Sequence, residues 1–188
     1  MKLKPISLAL FALDLATGPA AIDHARADQF TVDYHSIWAW TWNQTNAYRQ
    51  ANGVPRLIMG PTIVPVAKEY AEFLARNNTS GHTADGRDPG QRVAARGIKN
   101  CDVWENVYEY WSEPDIASWQ TVAAKAMEFW KQSPVHRENL LRAQATHVGV
   151  GAAGWTHDGK NYYKIVQVFI DDCYTPAARP KRRLGKAK

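Results

Sequence analysis

The sequence contains no run of about 18 apolar residues, roughly the length that a helix needs to cross a membrane, so it predicts no transmembrane span. It also has no visible internal repeat. Apolar residues make up 45% and charged residues 22% of the chain, and this ordinary balance excludes collagen-like, coiled-coil and wholly disordered proteins. With 188 residues, the chain is long enough for one domain with a substantial core.

Cysteine is scarce, since the chain has only Cys101 and Cys173. In an exported protein an even number of cysteines indicates a disulfide. In the chain-entropy model, a bridge between these two residues would stabilise the fold by about 4 kcal/mol. Two buried free thiols are the alternative.

Acidic residues are absent from the last ten positions, where basic residues cluster. The whole chain has a formal charge of +5, yet acidic residues slightly outnumber basic ones in residues 28–178. The excess positive charge therefore belongs mainly to a tail, which argues against a nucleic-acid-binding domain. We expect residues 179–188 to be a solvated, disordered tail, with contact to an anionic envelope polymer or lipid surface as the alternative.

The first 27 residues have the pattern of an export signal. Lys2 and Lys4 precede an apolar stretch over residues 6–13, and Ala25-Arg26-Ala27 fits a small-residue cleavage site before Asp28. This pattern predicts a secreted or periplasmic protein. A disordered leader or a misassigned start is the alternative, because Asp14 interrupts the apolar stretch and Ala20-Ala21 offers a second cleavage site.

Helical patterns come first along the rest of the chain. Residues 34–52 predict a helix that ends at Gly53, although the alternation of tryptophans within it is also compatible with a strand. Residues 65–76 predict a second helix, because Pro65 stands at its start and apolar residues follow at helical spacing. Residues 77–90 contain several turn-forming residues and predict a loop.

A third helix is expected to begin with Ser112 as its N-cap and to run through Trp130. Ser133-Pro134 ends that helix and can open another one over residues 136–141. Strand patterns follow at 148–151 and 162–170, separated by the hairpin turn Asp158-Gly159. The order of helices followed by an antiparallel hairpin predicts an α+β domain.

Four groups of polar and small residues stand out among these elements. Asn46, Arg49, Gly53 and Leu57 follow one another at regular spacing around the end of the first helix. The second group is Gly81-His82-Thr83 with Gly86-Arg87, Pro89 and Arg92. The third is Trp104-Glu105-Asn106. The fourth is Trp130 with Ser133-Pro134, His136-Arg137 and Asn139-Leu140-Leu141, and it is followed by Gly149-Val150-Gly151.

In this order and spacing, the motifs resemble those of the CAP superfamily, the domain shared by cysteine-rich secretory proteins, antigen 5 and pathogenesis-related 1 proteins. The resemblance is strongest to the bacterial SCP-like branch and covers residues 34–170. It implies a three-layer α-β-α sandwich with a central antiparallel sheet, formed by residues 28–178. It also implies a cleft lined by His82, His136 and Glu105, with Asn106 beside them.

The sequence departs from the family pattern at two positions. Trp104 stands where the common G-E-N motif has glycine, which would narrow the loop beside Glu105. The second acid of the cleft in eukaryotic members would fall near Ser133, where this chain has no carboxylate. Glu128 or Glu138 could take its place.

Two neutral imidazoles facing a carboxylate can hold Zn²⁺ or another divalent cation, so His82, His136 and Glu105 are the candidate ligands. A position in the first turn of a helix would disfavour the imidazolium form of His136. Glu105 could instead pair with Arg92 or cap a turn, and Asn106 could hold the loop by bonding backbone. The chain has no H-E-x-x-H motif and no Ser or Cys in a nucleophile-type motif.

The resemblance favours an exported binding module whose cleft takes a metal and a small or lipid-like ligand. Fold alone does not fix function, so two alternatives remain. One is a metal-assisted hydrolase that acts on peptide or cell-wall bonds. The other is an envelope interaction protein that uses the basic tail.

Overall fold

The computed structural model describes residues 28–29, 33–98, 102–113 and 117–171. The predicted export signal, Cys101, Cys173 and the basic tail lie outside these ranges. The helices are α1 (Tyr34–Ala51), α2 (Val64–Arg76), α3 (Pro89–Ala94), α4 (Trp119–Gln132) and α5 (Pro134–Leu140). The strands are β1 (Asp28–Gln29), β2 (Ile58–Met59), β3 (Val103–Ser112), β4 (His147–His157) and β5 (Lys160–Ile170).

The strands form one mixed sheet in the order β1-β4-β5-β3, with β2 pairing in parallel beside β4. The long strands β4 and β5 form the predicted hairpin, and β3 extends it on the other side of β5. The turn residues Asp158 and Gly159 have φ angles of 47° and 74°. Two positive φ angles match the twist of the flanking strands, which confirms the hairpin turn predicted from this dipeptide.

The sheet lies between two helical layers because successive side chains of its strands point to opposite faces. Tyr163, Ile165 and Phe169 of β5 pack in one core with α1 and α4. Val166 and Val168 pack in a second core with α2. This arrangement confirms the predicted three-layer α-β-α sandwich.

Helix α2 approaches β4 unusually closely, at two glycines. A Cβ atom built on Gly151 would lie 2.2 Å from the carbonyl carbon of Ala67, and one on Gly149 would lie 2.5 Å from that of Ile63. Only glycine leaves room for backbone to pack directly on backbone in this way. These contacts fix the height of α2 above the sheet, and the loop that follows α2 carries His82.

Two buried polar residues of α1 explain part of the first motif. The Asn46 side chain donates to the Leu57 carbonyl and accepts from the Leu57 amide. The Arg49 guanidinium donates to the carbonyls of Pro55, Leu140, Arg142 and Ala145. Both residues therefore hold loop backbone in place.

Most of the predicted elements are present, with differences in detail. Residues 34–51 form a helix, capped by Asp33, whose side chain accepts from the Ser36 amide. The prediction that Ser112 caps the third helix is wrong: Ser112 ends β3, and Ser118 caps α4 by accepting from the Thr121 amide. Strand β3 and the short helix α3 were not expected from the sequence.

Helix α3 begins inside the region predicted as a loop, because Asp88 and Gln91 form a reciprocal capping box. Within the part of the chain that the structure describes, no helix is long and apolar enough to cross a membrane.

Candidate functional site

A cleft of about 330 Å³ lies between the loop after α2, strand β3 and the junction of α4 with α5. His82 and His136 stand in its wall, together with two aromatic residues and one carboxylate. The full lining comprises Ser80, Gly81, His82, Val107, Tyr108, Glu109, Phe129 and His136. The structure thus brings the two predicted cleft histidines to one site.

The loop that carries His82 is held by its backbone. The Tyr70 hydroxyl donates to the Gly81 carbonyl at 2.6 Å and accepts from the Ala84 amide at 3.2 Å. Arg92 donates to the His82 carbonyl at 3.0 Å. Because these bonds fix the main chain on both sides of His82, its imidazole is positioned without being buried, and its side chain stays 48% exposed.

Glu105 lies beneath His82, with its side chain only 1% exposed. Its Oε1 atom is 2.9 Å from Nδ1 of His82, and its Oε2 atom accepts from Arg92 at 2.8 Å. The hydrogen bond to Glu105 places a proton on Nδ1, so Nε2 is the nitrogen left for a ligand. Glu105 therefore contacts His82 and also forms the pair with Arg92 that the sequence left open.

Arg92 is the buried centre of this network. Besides Glu105 and the His82 carbonyl, its guanidinium donates to Asp85 at 2.9 Å and to the Arg87 carbonyl at 2.7 Å. Its Cζ atom lies 3.5 Å from the centre of the Tyr70 ring, a cation–π contact. Such a planar, multiply bonded guanidinium ties α3, the His82 loop and β3 together, which lysine could not do.

His136 is held from the start of α5. Its Nδ1 atom is 2.9 Å from the hydroxyl of Ser133, the residue that precedes the helix. Its ring centre lies 5.2 Å from that of Phe129. Burial lowers the pKa of His136 below its ordinary value, and the positive charge of His82 lowers it further. The neutral imidazole, which is the form able to bind a metal or accept a proton, is therefore favoured.

Asn106 is fully buried and does not line the cleft. Its side chain donates to the His136 carbonyl at 3.2 Å and accepts from Asn139 at 3.0 Å. Asn139 also donates to the Glu105 carbonyl. Asn106 therefore bonds to backbone, which was the alternative considered from the sequence. Its hydrogen bonds link α5 to β3.

Glu109 is a cleft residue that the sequence reasoning missed. It follows Glu105 and Val107 on the same face of β3, and it forms an ion pair with Lys164, whose side chain is fully buried. The two substitutes considered from the sequence point elsewhere: Glu128 accepts from Gln132, and Glu138 pairs with Arg142. Recognising a strand at 103–112 would have exposed the two-residue spacing of the acids.

The three predicted metal ligands do not converge on one point. Both oxygens of Glu105 are bonded to His82 and Arg92, and Glu109 in the cleft wall is paired with Lys164, so the two imidazoles are the ligands that the described cleft residues leave uncommitted. Across the described ranges, no group of three or more His, Cys, Asp or Glu side chains is placed to hold a metal ion. A three-ligand catalytic zinc site does not fit this geometry.

A family model described as the cysteine-rich secretory protein family, CAP, matches residues 42–169 of the chain. A search of curated proteins found no significant match.

Several solved structures have a similar fold. An extracellular protein containing an SCP domain from Bacillus anthracis superposes with a TM-score of 0.59 and 23% identity; the match covers 74% of this chain and 41% of that protein. An outer surface protein from Borrelia burgdorferi superposes with a TM-score of 0.57 and 21% identity; the match covers 77% of this chain and 98% of that protein. A cysteine-rich secretory protein from Staphylococcus aureus superposes with a TM-score of 0.50 and 15% identity; the match covers 76% of this chain and 41% of that protein. At these identities the likeness shows a common fold.

Proposed function

Because this chain belongs to the CAP family of cysteine-rich secretory proteins, we propose that it is an exported binding module whose cleft takes a small or lipid-like ligand. One observation carries the proposal: His82 and His136 share a cleft with Val107, Tyr108 and Phe129. A concave wall that combines aromatic and apolar side chains with a few converging polar groups is typical of small-molecule sites. The descriptions of two neighbours as extracellular and as an outer surface protein favour export.

The cleft favours a ligand with an apolar body and a polar head. Phe129 lines the cleft and is 45% exposed, so its ring is accessible to a ligand. The imidazoles supply hydrogen bonds, while Glu109 is engaged by Lys164. We therefore expect the head group to lie at the histidines and the apolar part to lie against Phe129 and Val107.

A divalent cation would be held by Nε2 of His82 and Nε2 of His136, and its other positions would be filled by water or by donors of the ligand. Glu105 would then act on the metal through His82, because a carboxylate bonded to the second ring nitrogen orients a metal-binding histidine. Such a cation would serve to anchor an electron-rich head group.

The test is calorimetry of the full chain with zinc and, separately, fluorescence titration with a labelled medium-chain fatty acid. We expect His82→Gln and His136→Gln each to weaken zinc binding at least about tenfold, because each removes one of two imidazoles. Phe129→Ala should weaken fatty-acid binding and leave zinc binding unchanged. His35→Gln, on the exposed side of α1, is the matched control.

Zinc binding that survives both histidine substitutions would contradict the metal part of the proposal. Fatty-acid binding that is unaffected by Phe129→Ala and by both histidine variants would place the ligand outside the cleft.

The contact between Glu105 and His82 favours hydrolysis as a second candidate function. A buried carboxylate that fixes an imidazole leaves Nε2 ready to accept a proton from water, as general bases do. Glu105→Gln would then abolish cleavage of a peptide or peptidoglycan fragment while His35→Gln retains it. Equal turnover by the two variants would exclude this function.

Envelope contact through the basic tail is a third candidate that depends on the sequence alone. Deleting residues 179–188 should abolish sedimentation with anionic vesicles or cell-wall polymer while the cleft still binds zinc. Undiminished sedimentation of the shortened chain would exclude a role for the tail.

A further inference from the structure

A second pocket, of about 220 Å³, lies between α2 and the region around α3 and shares no lining residue with the cleft. One wall is formed by residues of α2 at helical spacing, and the other by α3, the loop before it and the two residues after it. The lining comprises Val66, Glu69, Tyr70, Phe73, Arg76, Asp85, Arg87, Arg92, Ala95 and Arg96.

The pocket is rich in guanidinium groups. Arg76, Arg87, Arg92 and Arg96 face two carboxylates in its wall, Glu69 and Asp85. A third carboxylate, Glu105, pairs with Arg92 from the cleft side, and the local balance remains positive by one charge. Because residues 28–178 as a whole have no excess of basic residues, this positive pocket is a local feature.

The four arginines differ in how far their donors are used. The Nη groups of Arg92 are used by its buried network, and its Nε, which has no partner among the described residues, is itself buried. Arg87 uses Nε and Nη2 on Asp85, and Arg96 uses Nη2 on Glu69, which leaves the Nη1 groups of both without a partner among the described residues. Arg76 forms no ion pair or hydrogen bond of its side chain within the same ranges. Three guanidiniums thus border one pocket with unused donors.

Size and shape restrict what such a pocket can hold. A volume of about 220 Å³ is below the range of drug-sized ligand sites, so the occupant is small. Guanidinium groups bind planar and tetrahedral oxyanions through paired N–H donors. The rings of Tyr70 and Phe73 lie parallel, 6° apart in orientation, but Tyr70 is buried against Arg92, so Phe73 supplies the aromatic surface beside the arginines.

We propose that this pocket is a binding site for a small phosphate monoester, with the phosphate held by Arg76, Arg87 and Arg96 and a compact organic group against Phe73. Arg92 closes the floor of the pocket. Arg92 also bonds to Glu105 and to the His82 carbonyl, but none of the three phosphate-binding arginines lines the cleft, so the proposal does not depend on the function of the cleft.

The test is titration of the ¹⁵N-labelled full chain with phenyl phosphate, followed by amide chemical shifts, with inorganic phosphate and phenol as comparison probes. We expect shifts centred on α2 and α3, and tighter binding of phenyl phosphate than of either comparison probe. Arg76→Ala/Arg96→Ala should weaken binding at least about tenfold, because two charge-assisted contacts are lost.

The control is Arg56→Ala/Arg137→Ala, which removes the same charge from exposed residues outside the pocket lining. It should change the affinity less than about twofold, since distant exposed charges are screened by salt. Equal weakening by the two double variants, shifts confined to residues 179–188, or no binding of phenyl phosphate would each overturn the proposal.

Discussion

His82 and His136 present the same imidazole group to one cleft, yet their surroundings differ. His82 is half exposed and bonded to the carboxylate of Glu105, whereas His136 is partly buried and bonded only to a neutral hydroxyl. Burial without a counter-charge penalises the imidazolium form. Burial should therefore lower the pKa of His136.

We predict that His136 titrates below its ordinary value of 6.5, first because of burial and second because of the charge on His82. The measurement is an NMR titration of the imidazole Cε1 protons in metal-free protein. His82→Gln should raise the midpoint of His136, because the neighbouring positive charge is gone, while His35→Gln should leave it unchanged. A midpoint at or above 6.5 would contradict this account.

Lys164 is the most deeply buried charged side chain beside the cleft, and it donates to the Thr79 carbonyl at 2.6 Å. Burial lowers the pKa of Lys164 from 10.5 to about 8. The unfolded chain then binds more protons than the folded chain between about pH 8 and 10.5, so folding stability rises with pH across this window. Below about pH 8 both states are protonated and the contribution is constant.

We predict that Lys164→Met removes this rise. Wild type should gain at most about 3 kcal/mol of unfolding free energy with rising pH that the variant does not gain. The gain is limited because the ion pair with Glu109 opposes the effect of burial on the pKa of Lys164. Urea denaturation at pH 7.5 and pH 9.5 measures it. Parallel pH dependences for the two proteins would show that Lys164 titrates as an exposed lysine.

At the residue scale, the motifs predicted which histidines meet and which acid lies with them. They could not predict that Arg92 occupies one oxygen of Glu105, since the sequence favoured a cleft acid and offered this pair only as an alternative. Glu109 was missed because its position depends on the register of a strand. Sequence spacing identifies residue types, but hydrogen-bond partners depend on the packed fold.

At the scale of elements, the least anticipated feature was β3. Glu105 and Asn106 are adjacent polar residues and both are buried, one towards each helical layer, so the strand lacks the alternation that marks a half-exposed strand. The start of α4 was misplaced because Ser112 and Ser118 both stand before helical spacing. The capping pattern alone cannot show which of the two serines begins the helix, because the end of β3 at Ser112 is not visible in it.

The contact of α2 with β4 leads to a prediction at this scale. Gly151→Ala should destabilise the fold by roughly 3 kcal/mol or more, because its Cβ would overlap backbone atoms of Ala67 that cannot rotate away. Urea denaturation measures the change.

Gly53→Ala is the matched control, because a Cβ there meets no atom within 4 Å. Its positive φ of 71° makes a smaller loss of about 1 kcal/mol expected. Equal losses at the two glycines would mean that backbone conformation, rather than the close approach of α2, determines the cost.

At the scale of the whole molecule, the sheet bears on the predicted disulfide. Val103 and Ile170 are direct neighbours where β3 pairs with β5. Cys101 precedes Val103 by two positions and Cys173 follows Ile170 by three, so the two cysteines are close in sequence to the same point of the sheet. The sheet register is compatible with the predicted Cys101–Cys173 bridge, which stays a prediction because both cysteines lie outside the described residues.

We predict that the oxidised chain has no alkylatable thiol when denatured without reductant, as mass spectrometry would show. Reduction should lower the unfolding free energy by about 4 kcal/mol. In Cys101→Ser/Cys173→Ser the reductant should have no effect. Alkylation of both cysteines in the oxidised protein would contradict the disulfide and favour two free thiols.

The central hairpin also determines when the fold can form during synthesis. Strand β4 contacts β1, β2, α1 and α2, yet it follows all of them along the chain. Helix α2 packs mainly on β4 and β5, so its apolar face lacks its partner surface until residues 147–170 have left the ribosome. Because the hairpin pairs with elements far earlier in the chain, completion of the core is a late step in synthesis.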